Sequence, residues 1–98
     1  MPDSMARGAH GLMGGAGHAP EDVRVFRALK ADLSGEGQKA FVKLLPLINL
    51  EMQTIDQSIA THKWLLHDRG VFRSAHVRAP GPSLDGFQIV ELKRYLEL

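Results

Sequence analysis

A chain of 98 residues, 44% hydrophobic and 23% charged, has room for one small domain. Its net charge of +1 is too small for the whole molecule to act as a polycation, so nucleic-acid binding would need a local patch. The absence of cysteine excludes disulfides, thiolate zinc sites, iron–sulfur clusters and a cysteine nucleophile, and no apolar run approaches the ~18 residues that suggest a membrane span.

Residues 1–19 are rich in glycine and alanine and show no hydrophobic period. Glycine loses more backbone entropy on ordering than any other residue, so this stretch reads as a disordered Gly-rich tail ahead of a single helical domain at 20–98. It has no apolar core of the kind a secretory signal carries, and the expected location is cytoplasmic.

Pro20-Glu21-Asp22 opens a first helix, about 20–33. Proline suits the first helical position, and acids suit the positive end of the dipole. Val23, Phe26, Leu29 and Leu33 form its expected buried stripe, with Arg24, Arg27 and Lys30 on the flank. Ser34-Gly35-Glu36-Gly37 ends it. Gln38–Leu45 continues as a short helix. Pro46 removes one helical hydrogen bond and clashes with the carbonyl of Val42, so a kink or break is expected there.

The most regular signal follows. Leu45, Ile48, Met52, Ile55, Ile59 and Leu66 recur at steps compatible with one helix face. They predict one long central helix, about 46–69 and roughly 35 Å long at ~1.5 Å per residue. Leu44, Leu47, Trp64 and Leu65 widen its apolar face. Gly70 supplies the left-handed residue of a Schellman ending, with Val71 set to pack back on Leu66.

Residues 71–78 read equally as a short strand or irregular chain, and Ala79-Pro80-Gly81-Pro82 as a loop. Asp85 with Gln88 has the spacing of a capping box, flanked by Leu84 and Ile89 as its hydrophobic staple. A final helix, about 86–97, would bury Phe87, Val90 and Tyr95. A strand through Phe87–Val90 is the alternative. The fold class is therefore mainly α, a small bundle around one long helix.

No residue pattern for catalysis stands out. None of Ser4, Ser34, Ser58, Ser74 or Ser83 lies in a G-x-S-x-G elbow. The glycine-rich segment lacks the Gly-Lys-Ser/Thr ending of a phosphate loop. His62 and His67 are five apart, which turns them about 140° from each other on a helix. His10, His18 and His76 lie in weakly patterned segments. No catalytic residue, cofactor or metal site is expected. His62 falls in the apolar seam of the long helix, which suggests a pH-sensitive contact.

Lys63, Arg69, Arg73 and Arg78 form a local basic cluster and are candidates for phosphate contact. The order of helix, Arg69-Gly70-Val71-Phe72, Pro/Gly-rich loop and Phe87–Leu92 resembles the second half of a winged-helix DNA-binding domain over about residues 57–92. That resemblance implies a recognition helix followed by a β-wing. The first half departs from the family pattern, because the spacing shows no turn between Leu50 and Ser58.

The favoured expectation is a non-enzymatic protein–protein interaction or assembly module. It self-associates through the long helix, with Ile48, Met52, Ile55, Ile59, His62 and Leu66 as the interface. The expected partner is a second copy or another protein, with nucleic acid second and no membrane.

Overall fold

The computed structural model describes residues 1–97. The helices are α1 (Pro2–Ala6), α2 (Ala19–Ala31), α3 (Glu36–Glu51), α4 (Ile55–Asp68) and α5 (Gly86–Leu96), with a 3-10 turn at Ala16–His18 before α2. The described residues contain no strand, so the expected helical bundle holds and the β-wing of the winged-helix comparison is replaced by α5.

α3 is the central element. α2, α4 and α5 all pack against it. Val25 and Leu29 of α2, Leu44 and Leu47 of α3, Leu65 of α4 and Leu92 of α5 make one buried cluster. Burial of each large aliphatic chain contributes about 1.5–3 kcal/mol. The exposed surface is 6763 Å². A compact monomer of 10.8 kDa would show about 5,500 Å². The radius of gyration, 14.3 Å, likewise exceeds the ~12.6 Å of a compact chain of this length.

The single long helix over 46–69 is corrected. The chain turns at Met52–Thr54, and Thr54 caps α4 by accepting a hydrogen bond from the Gln57 amide at 3.0 Å. Pro46, the expected break, lies inside a continuous α3. Buried Leu44 and Leu47 flank it and hold the helix on the core despite the lost hydrogen bond.

The helix faces are corrected too. In α2 the buried stripe is Asp22, Val25 and Leu29, while Val23 and Leu33 are exposed. In α5 Leu92 is buried and Phe87 and Val90 point outward. In each case the true face includes or adjoins polar residues, which hydrophobic spacing alone passes over.

Both cap motifs read from the sequence are present. Asp85 and Gln88 form a reciprocal capping box. The Val71 amide donates to the Leu66 carbonyl at 2.8 Å and the Gly70 amide to the His67 carbonyl at 3.0 Å, the paired bonds of a Schellman ending. Gly70 has φ +75° with nothing near a would-be β-carbon. Gly70→Ala should therefore cost only the backbone strain, about 1 kcal/mol. A urea denaturation series checks this, and a neutral result would contradict the left-handed ending.

Candidate functional site

Parts of residues 1–19 pack on the rest of the domain, while residues 6–14 between them are exposed. Met1 and, in α1, Met5 pack on the core, and Gly17 and His18 are buried. The 3-10 turn at 16–18 is α4's most extensive packing partner. The glycines of this strap are close-approach positions. A β-carbon on Gly17 would sit 2.6 Å from His62 Nδ1 and 3.0 Å from its Cα. One on Gly15 would overlap the His62 ring, and one on Gly14 would overlap Asp22 Oδ2. The strap crosses α4 and α2 because it has no side chains there.

Beneath the strap lies a buried polar cluster built from four parts of the chain. His18 sits at the end of the 3-10 turn, Asp22 one turn into α2, Glu51 at the last residue of α3 and His62 midway along α4. His18 Nδ1 is 3.0 Å from Asp22 Oδ2, and His18 Nε2 is 3.0 Å from Glu51 Oε1. His62 Nε2 is 2.8 Å from Glu51 Oε2. The two rings are 5.0 Å apart, centroid to centroid. His62 Nδ1 accepts a hydrogen bond from the Gly17 amide at 3.0 Å, which puts the proton of a neutral ring on Nε2, facing Glu51.

Burial penalises the Glu51 charge. The hydrogen bond between His18 and Oε1, and the close approach of His62 to Oε2, more than offset this and lower its pKa to about 2. Burial likewise opposes a charged His18, but Glu51 and then Asp22 outweigh it and raise the His18 pKa. Burial raises Asp22, with His18 opposing. The cluster thus sets His18 between Asp22 and Glu51, which together favour its charged form. It ties strap, α2 and α3 together, and His62 ties α4 to the same Glu51.

An aspartate behind a histidine is two parts of a hydrolytic triad, but here the third position is taken by Glu51, which is no nucleophile for acyl transfer. The buried hydroxyl of Thr61 is spent on the Gln57 carbonyl. Among the described residues, His18, Glu51 and His62 are also the one group whose ligand-type atoms lie within 4.8 Å of one another.

The expected interface residues are divided by the turn. Met52, Ile55 and Ile59 are exposed, Ile48 packs against the core, and Leu66 is half-buried. His62 leaves the apolar seam altogether and faces Glu51. Val42 and Leu45 of α3 are exposed as well, and they share a groove with Met52. This open groove runs between α3, the start of α4 and α5, with Asn49, Gln53, Gln57 and Gln88 among its polar lining.

Of the basic candidates, Lys63 donates to the His76 carbonyl and Arg69 pairs with Glu21 at 2.6 Å. Burial acts against the Glu21 charge, but the Arg69 hydrogen bond prevails and lowers the Glu21 pKa. Arg73 and Arg78 are exposed.

Comparison with protein-family models, with curated proteins and with solved structures finds no match.

Proposed function

We propose that the chain is a non-enzymatic assembly module that pairs with a second copy of itself through Val42, Leu45, Met52, Ile55 and Ile59. The observation that carries this reading is the exposure of these apolar side chains, 80% for Ile55 and 67% for Met52. Val42, Leu45 and Met52 line one groove, and exposed apolar surface of this kind marks interaction sites. The groove's polar lining is mainly amide, with Glu91 its sole charged member, and the net charge is +1. Such a face has little to offer a highly charged partner and little to repel its own copy.

Light scattering over a concentration series tests this with Ile55→Glu. The wild type should approach twice the monomer mass. Ile55→Glu should stay monomeric with its melting temperature nearly unchanged, because an 80% exposed side chain contributes little to the fold. A monomeric wild type, or a variant that still dimerises, contradicts the proposal.

One observation favours a second reading. The three-residue turn between α3 and α4 is the connection a helix-turn-helix uses, and the sequence had shown no such turn. Duplex DNA binding that weakens steeply with salt would reverse the ranking. Internal pairing of Lys63 and Arg69 weighs against it.

A further inference from the structure

We infer that His18, Glu51 and His62 form a binding site for a divalent transition metal of the zinc class, closed over by the glycine strap at 14–17. The donors are two imidazole nitrogens and one carboxylate. That set suits zinc or cobalt and is poor for calcium or magnesium, which take oxygen ligands. The spacing fits a shared ion. His18 Nε2 and His62 Nε2 lie 3.0 and 2.8 Å from the two oxygens of the same carboxylate, and the three ligand atoms fall within 4.8 Å.

A second, independent observation concerns hydrogen bonding. Glu51 Oε2 is buried and receives no well-formed hydrogen bond, although His62 Nε2 is only 2.8 Å away. An unsatisfied buried carboxylate oxygen is costly, and a metal ion on Glu51 would supply its missing partner. Asp22 Oδ2, 3.0 Å from His18 Nδ1, is placed to become the outer carboxylate of a metal-bound histidine once the ring adjusts to donate to it. Gly14, Gly15 and Gly17 pass over Asp22 and His62 with no room for a β-carbon, so the backbone itself is the cover of the site.

The geometry also says what must change on binding. His62 Nδ1 now accepts from the Gly17 amide. A metal on Nε2 forces the ring proton onto Nδ1, so the Gly17 bond is given up and the strap shifts there. Metal binding is thereby coupled to the segment that holds α4.

The test uses untagged, chelator-treated full-length protein titrated with Zn²⁺, and with Co²⁺ as a spectroscopic probe. One Zn²⁺ per chain should bind and raise the melting temperature, and Co²⁺ should give the visible bands of a four-coordinate or five-coordinate nitrogen–oxygen site. His18→Ala and His62→Ala should each weaken binding by at least ~100-fold, and Asp22→Asn by about 10–100-fold. Nitrogen-15 spectra of the wild-type imidazoles should show His62 changing from the Nε2–H to the Nδ1–H tautomer as zinc is added, with the Gly17 amide shifting in step. This readout needs no variant to fold. An unchanged His62 tautomer at saturating zinc, or zinc affinity unaffected by His18→Ala and His62→Ala, would overturn the inference and assign any binding to surface histidines.

Discussion

Glu51→Ala is expected to destabilise the metal-free protein by about 3 kcal/mol or more, the usual cost of removing one partner from a buried ion pair. Its side chain is 7% exposed and meets both imidazoles. Without it, His18 is left buried with only Asp22 beside it, and His62 Nε2 loses the carboxylate it faces. The 3-10 turn, α3 and α4 meet at this carboxylate, and α2 joins them through Asp22 on His18, so the loss should appear as one cooperative transition at lower denaturant. Glu51→Gln keeps the shape and should lose less.

The same carboxylate sets the acid limb of stability. A carboxyl held at about 2 when folded and near 4.5 when unfolded stabilises the fold above pH 4.5, and that contribution is lost as pH falls from about 4.5 toward 2. His18, raised above 6.5, acts in the opposite sense. Its contribution is complete below 6.5 and is lost as pH climbs through its folded value. Asp22, raised by burial, favours the fold only when protonated and blunts the acid limb. The net result is a stability maximum between about pH 4.5 and 6.5. Urea titrations at a series of pH values check this. Glu51→Gln should lack the steep acid limb, and an unchanged limb would place its origin elsewhere.

Gly37→Ala is expected to cost about 3 kcal/mol, although alanine is the better helix former by ~1 kcal/mol. Gly37 lies in the first turn of α3, where α3 starts against the end of α2. A β-carbon there would overlap the Asp32 carbonyl oxygen and sit 2.6 Å from Leu29 Cα and 2.7 Å from Leu29 N. These are backbone atoms, so no side-chain rotation relieves the clash. α2 and α3 must separate, and both carry core leucines, Leu29 and Leu47 among them. At about 4–8 °C per kcal/mol for a domain of this size, thermal melts should show a fall of about 10 °C or more. A neutral or stabilised Gly37→Ala would mean the two helices do not approach so closely.

Local signals in the sequence carried well where their chemistry is complete within a few residues. Asp85 with Gln88, and Gly70 after Leu66, state a helix start and a helix stop without reference to the rest of the chain. The turn at Met52–Thr54 was harder. Three turn residues leave the apolar spacing from Ile48 through Met52 to Ile55 and Ile59 nearly in phase, so periodicity runs across the break. A sign was present all the same, since Thr54 with Gln57 has the spacing of a cap.

The buried cluster was not legible because its partners are remote. His18 and Glu51 are 33 residues apart, and Gly17 and His62 are 45 apart. Asp22 reads as an ordinary first-turn acid until His18 is placed beside it. The strap glycines carry opposite meanings in chain and fold. Alone they signal freedom, yet against α4 they are the residues small enough to fit.

The account's central claim is that the exposed α3–α4 face joins two copies of the chain. The most direct measurement is an isotope-filtered nuclear Overhauser experiment on a mixture of carbon-13-labelled and unlabelled protein, which reports only contacts between copies. The account predicts intermolecular contacts from the Ile55 and Ile59 methyls to Val42, Leu45 or Met52 of the other copy. Absence of any intermolecular contact at high concentration, or contacts confined to Phe87 and Val90 of α5, would contradict it.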